Sequence, residues 1–220
     1  MTRSQTLLMI LLAALLTLSA AGADKKPQTI KGWGTTVDPD GDCKFEEKEG
    51  NVSITLPGKY HDLTYLTPEG KLNAPRIMRE VEGDFSIQVT VVKFAVPDGE
   101  TTDQFAFVSA GLLVSNDGKE FFRVERAAIG MPPFAYAAGI LDGKNSLHQG
   151  RQLPDSNTLL RAERKGKKLT FSVRAAEETD WTELLSENVE LPAKLQVGVH
   201  SVNVINKEFK AEFRELELKQ

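Results

Sequence analysis

Apolar side chains recur at every second position through most of this chain, and Gly, Pro, Asp or Asn breaks the pattern about every 8 to 15 residues. Such alternation turns one face of an extended strand toward a core and the other toward water. Val52, Ile54 and Leu56 alternate with Ser53 and Thr55 before Pro57-Gly58, and Phe85, Ile87, Val89 and Val91 alternate with Ser86, Gln88 and Thr90. The runs 105–114 and 121–128 flank Asn116-Asp117-Gly118, and Asp-Gly between two apolar runs signals a hairpin. A second hairpin is expected from 158–164 and 169–173 around Lys165-Gly166-Lys167, and a C-terminal pair from 195–204 and 209–218 joined through Asn206-Lys207. In the last strand the phase set by Phe209, Ala211 and Phe213 slips to Leu216 and Leu218, which predicts a bulge at Arg214-Glu215. Met131-Pro132-Pro133 reads as a long loop, and no window past the N-terminal stretch has helical spacing. About ten to twelve short strands with hairpin turns pack as an all-β, two-sheet antiparallel sandwich.

The N-terminus reads differently. Arg3, an apolar run over 7–18 and the small residues Ala20-Ala21-Gly22-Ala23 have the three parts of a secretion signal over 1–23. The run is shorter than the roughly 20 residues that cross about 30 Å of hydrocarbon, so no membrane span is expected after cleavage. The expected location is extracytoplasmic, secreted or periplasmic. Residues 24–31 are mostly polar and unpatterned, a flexible lead-in to one domain over 32–220. The chain has 27 Lys and Arg against 31 Asp and Glu. An acidic balance argues against a nucleic-acid partner, which needs clustered cations. The densest basic stretch, Arg164 to Lys168, fits a charged hairpin turn. Cys43 is the single cysteine, so no intramolecular disulfide forms, and its place beside Phe45 favours burial.

Candidates for chemistry are few. Glu125 lies on the same side of its strand as Arg123, but the positions two and four residues on are Ala127 and Ile129, so the paired carboxylates of a glycosidase are not supplied locally. Arg123 beside it suits a hydrogen-bond acceptor or a structural ion pair better than a general acid. Asp38-Pro39-Asp40-Gly41-Asp42 sets carboxylates at alternate positions in a tight turn, a spacing that either collects oxygens around calcium or forms a plain acidic turn. No other cofactor is expected. His61, His148 and His200 share no metal-ligand spacing, and nothing in the chain places a His beside Cys43. Sugars are held by flat aromatic faces and planar polar groups. Tyr60-His61-Asp62, Asn73-Ala74-Pro75-Arg76, Trp181 after the acidic turn 177–180, and Trp33 are the aromatic and polar clusters of that type. For each aromatic, core packing is the competing role.

Gly32-Trp33-Gly34, the Asp38–Asp42 turn, Tyr60-His61-Asp62-Leu63, Asn73-Ala74-Pro75-Arg76, Glu82-Gly83-Asp84-Phe85, Ala110-Gly111-Leu112-Leu113, Phe122-Arg123-Val124-Glu125-Arg126 and Val197-Gly198-Val199 follow one another in an order that resembles the regulation-of-enolase family of concanavalin A-like domains, a family of unknown function. Where that family carries a Gly-Lys-x-Trp-like turn, this chain has Thr179-Asp180-Trp181. The resemblance implies a jelly roll of the lectin/glucanase type with a concave face, in a superfamily where glycan binding and glycan hydrolysis both occur, and it supplies no reaction. The resulting expectation is a carbohydrate-binding or accessory module for a glycan or small polyol. Tyr60, Asp62, Asn73, Arg76, Arg123 and Glu125 would supply its polar contacts, and Trp181 or Tyr60 a stacking surface. The alternatives are a glycoside hydrolase or lyase using Glu125 with a loop-supplied carboxylate, and a protein-interaction domain.

Overall fold

The computed structural model describes residues 26–63, 72–95, 106–116, 120–129, 132–147 and 150–220. The leader, Asp117-Gly118, Met131 and His148 lie outside them. In chain order the strands are β1 (Thr29–Ile30), β2 (Gly34–Val37), β3 (Lys44–Lys48), β4 (Asn51–Leu56), β5 (Arg76–Glu82), β6 (Phe85–Val91), β7 (Val108–Ser115) and β8 (Phe121–Ala128). They continue with β9 (Phe134–Leu141), β10 (Lys144–Leu147), β11 (Arg151–Gln152), β12 (Thr158–Lys165), β13 (Lys168–Ala175), β14 (Thr182–Asn188), β15 (Lys194–Asn203) and β16 (Phe209–Lys219). The described residues contain no helix, and hence none long and apolar enough to cross a membrane.

Two antiparallel sheets result. The front sheet runs β1-β2-β5-β15-β7-β8-β9-β10, with β11 also paired to β9, and the back sheet runs β14-β13-β12-β6-β16-β4-β3. Their inner faces interlock Ile77, Leu112, Val124 and Val197 of the front with Ile54, Ile87, Leu160, Phe171 and Phe213 of the back. This is the two-sheet sandwich that the alternation predicts, in the jelly-roll form that the resemblance implies, and removing those side chains from water drives its closure.

Both predicted hairpins form, as β7–β8 and β12–β13. The expected bulge is present as well: the β16 register against β6 shifts between Arg214 and Glu217, and Glu215 has φ 54°. Three expectations need correction. Thr29–Ile30, placed in the lead-in, pairs with β2, and Ile30 joins the core, because its single apolar side chain finds a sheet edge to cover. The C-terminal runs do not pair: β15 lies in the front sheet and β16 in the back. Asn203 turns the chain between them, donating from Nδ2 to the Pro57 and Lys207 carbonyls and accepting from the Ile205 N–H. Finally, β7 and β8 are buried along their whole length rather than on one face. Leu63 and Ala74, from the connection between β4 and β5, pack with Leu113, Phe121, Ile140 and Val202 on the outer side of the front sheet, a second and smaller core.

Candidate functional site

One row of residues crosses five strands of the front sheet. Arg76 of β5 pairs with His200 of β15, His200 with Gly111 of β7, Gly111 with Glu125 of β8, and Glu125 with Tyr136 of β9. Partners opposite one another in a sheet share a face, so this register gathers the side chains on the outer side. Gly111 stands in the middle with no side chain, and a Cβ there would lie 2.0 Å from the Val124 carbonyl oxygen. Across that gap His200 Nε2 comes within 3.3 Å of Glu125 Oε1.

The row is withdrawn from solvent. Glu125 and His200 are fully buried, and Arg123, Asp62 and Tyr136 nearly so. Ser109 Oγ donates to Glu125 Oε1 at 2.9 Å, and Arg123 NH1 donates to the same oxygen at 3.4 Å. Arg123 NH1 also lies 3.6 Å from Asp62 Oδ1. Its guanidinium stands over the Phe121 and Tyr136 rings at 6.0 and 5.6 Å from their centroids. Burial alone would weaken its hold on the proton, but the Glu125 and Asp62 carboxylates more than offset that, and Arg123 stays charged. Burial, then the Arg123 and Arg76 charges, push His200 well below the usual histidine range and keep it neutral. Burial and the Glu125 charge push the Tyr136 phenol up, so it stays protonated. Glu125 Oε2, Arg123 Nε and both ring nitrogens of His200 have no hydrogen-bond partner among the described residues. Buried polar groups are normally paired, so such a concentration marks a place where a ligand or water completes the set.

Next to the row opens a cleft of about 560 Å³. Its walls are apolar and aromatic, with Phe107, Phe121, Phe134, Tyr136 and Leu147, and Arg123 is the one charged residue lining it among the described residues. Phe134 and Tyr136 lie with centroids 5.8 Å apart and Phe107 and Tyr136 6.4 Å apart, so Tyr136 links the aromatic wall to the polar row.

Of the residues singled out in the sequence, Asp62, Arg76, Arg123 and Glu125 come together here. Tyr60 joins through its hydroxyl, which donates to Asp62 Oδ2 at 3.4 Å. Asn73 is committed to holding loops: Oδ1 accepts the Asp62 N–H at 2.9 Å, and Nδ2 donates to Asp40 Oδ2 at 2.7 Å and to the Tyr60 carbonyl at 2.8 Å. Trp181 is elsewhere. It lies on the outer side of the back sheet between two guanidinium groups, Arg161 at 4.0 Å and Arg174 at 5.3 Å from the ring centroid. Trp33 is a core residue whose Nε1 donates to the Gly50 carbonyl at 3.0 Å. His200, Ser109 and Tyr136 escaped the sequence reading because cross-strand register brings them in, and no local motif carries it. The carboxylate missing next to Glu125 comes from a loop. Glu125 Oε1 and Asp62 Oδ1 reach the same Arg123 nitrogen at 3.4 and 3.6 Å, so they are at most about 7 Å apart.

The acidic turn is folded on itself. Asp38 accepts the Gly41 and Cys43 N–H groups, Asp40 holds Asn73, and Asp42 pairs with Lys59 at 3.0 Å and with His61 Nε2 at 2.9 Å. Burial opposes ionisation of Asp42, but Lys59 and His61 outweigh it and hold the carboxyl below its usual range. Cys43 is buried as expected, yet it does stand beside a histidine, since the chain folds His61 back onto the turn. Burial first, then the Asp38 and Asp42 charges, push its thiol far up, which disfavours a nucleophilic thiolate.

No family model matches the sequence, and no curated protein matches it. Solved structures do resemble it. A functionally unknown protein from Saccharomyces cerevisiae superposes with TM-score 0.66 at 16% identity, over 85% of this chain and 96% of that one. The GH43 BlXynB protein of Bacillus licheniformis gives 0.61 at 13% identity over 83% of this chain, which spans 35% of that larger one. The carbohydrate binding module CBM66 from Bacillus subtilis gives 0.53 at 10% identity, over 86% and 98%. At these identities the likeness is one of fold: two antiparallel sheets stacked as a jelly-roll sandwich.

Proposed function

We propose that this chain is an extracytoplasmic carbohydrate-binding β-sandwich of the regulation-of-enolase, concanavalin A-like type, and that a sugar or small polyol binds in the aromatic cleft beside Arg123. The observation that carries this reading is the junction of two surfaces at Tyr136. On one side stands a wall of Phe107, Phe134 and Tyr136, and on the other a buried polar row with unpartnered atoms on Glu125, Arg123 and His200. Sugars present just such a pair of surfaces, C–H faces for aromatic rings and hydroxyl pairs for planar polar groups. Two structural neighbours, a carbohydrate binding module and a GH43 protein, support the class. Calorimetric titration against a panel of mono- and oligosaccharides tests it. Binding of at least one member is expected, weakened about tenfold by Phe134→Ala, which removes a ring worth about 1 kcal/mol of contact beyond its area. A panel that gives no heat above background sinks the reading.

A second reading has an observation of its own. Glu125 and Asp62, at most about 7 Å apart, fall within the range of separations used by glycosidase carboxylate pairs. Here Asp62 is the loop-supplied partner. Both oxygens are engaged by Arg123 and buried, an arrangement that favours holding a ligand over proton transfer. Release of reducing sugar from the bound glycan, abolished by both Asp62→Asn and Glu125→Gln, would reverse that preference.

A further inference from the structure

We infer that the loop junction at the edge of the sandwich is a site for a zinc-class divalent transition metal, held by Asp42, Cys43 and His61. One ligand atom from each of the three residues lies within 4.8 Å of the others. Tetrahedral zinc, with bonds of about 2.0 Å to oxygen and nitrogen and about 2.3 Å to sulfur, sets its ligand atoms about 3.3 to 3.6 Å apart. Cys43 Sγ is already 3.6 Å from Asp42 Oδ1. Asp42 Oδ1 and His61 Nε2, at 2.9 Å, need open by only a few tenths of an ångström. Asp40 Oδ2 lies 3.8 Å from His61 Nε2 and is held by Asn73, which leaves the fourth position of the metal to water.

The surroundings are those of a ligand set. His61 is fully buried, and its Nδ1 lies 3.1 Å from the Lys59 carbonyl oxygen, an acceptor only. A metal-bound imidazole would keep its ring hydrogen on Nδ1 for that carbonyl and aim its Nε2 lone pair toward Asp42 Oδ1, 2.9 Å away. A backbone carbonyl orienting the distal ring nitrogen is a usual outer contact of a metal-ligating histidine, and here Lys59 supplies it. A thiol, an imidazole and a carboxylate form a donor set softer than the all-oxygen shell calcium takes, so the acidic turn serves a different ion from the one its spacing suggests. On binding, the thiol proton leaves to solvent and the thiolate takes its place on the metal.

The test uses the whole processed protein after chelator treatment, with zinc and cobalt ions as probes. One equivalent of zinc per chain is expected to bind and raise the melting temperature. Cobalt should show a sulfur-to-metal charge-transfer band that disappears in Cys43→Ser. Asp42→Asn, at a side chain 23% exposed, is expected to weaken zinc about tenfold. A cobalt spectrum without the sulfur band, zinc affinity unmoved by Asp42→Asn, or protection by calcium and not by zinc would each overturn the assignment. None of these readouts involves a glycan, so they stand or fall apart from the cleft.

Discussion

The two sheets carry similar charges on their outer faces and do opposite things with them. On the back sheet Gln88, Arg161, Glu163, Glu217 and Lys219 line a shallow, solvated surface, with Trp181 laid flat against Arg161. On the front sheet Arg123 and Glu125 are buried, and Arg123 pairs with both Glu125 and the loop residue Asp62. Water screens the first set and leaves each pair worth little, whereas the second has lost its water and depends on its partners. The same residue types are therefore dispensable on one face and structural on the other.

Breaking the buried row gives the largest expected effect. Glu125→Ala strips Arg123 and Ser109 of their shared acceptor and is expected to cost about 3 to 5 kcal/mol in urea unfolding, the range for orphaning a buried charge. Gly111→Ala should follow at about 3 kcal/mol, because the added methyl meets the Val124 carbonyl at 2.0 Å and the strands must part. A milder effect comes from pH. His200 is held neutral in the fold, so its folded proton affinity lies below the 6.5 of the open chain. The unfolded state then binds the extra proton first, and stability present above 6.5 is lost on acidification at up to about 1.4 kcal/mol per pH unit. His200→Gln should flatten that slope between pH 6.5 and 5, as read by melting temperature. The smallest change is expected on the back face, where Arg161→Ala removes a partly exposed guanidinium–indole contact worth about 0.5 to 1 kcal/mol. An Arg161 effect as large as that of Glu125 would erase the contrast between the two faces.

Much of the architecture was readable in advance because period-two alternation is a local property. Phe85, Ile87, Val89 and Val91 announce a strand whatever surrounds them. Sheet membership is not local, and two consecutive runs, β15 and β16, look like a hairpin until Asn203 is seen to turn the chain across the sandwich. The site divides in the same way. Arg123 and Glu125 share a face by parity alone, which the sequence displays. His200, Tyr136 and Asp62 reach them through register and loop return over many residues, and no spacing encodes that. Trp181 has the chemistry of a sugar platform but stands just before β14 on the other sheet, and nothing in its local pattern tells which sheet that is. Cys43 and His61 are 18 positions apart in the chain, and only the closure of the loop after β4 makes them neighbours.

β16 sits between β6 and β4 at the middle of the back sheet. Those two neighbours are complete long before residues 209–219 are synthesised, and until then each offers a bare edge of unpaired amides and carbonyls. Assembly must therefore await the last strand, which favours slow, late closure and makes a nascent or nicked chain lacking it prone to aggregate through both edges.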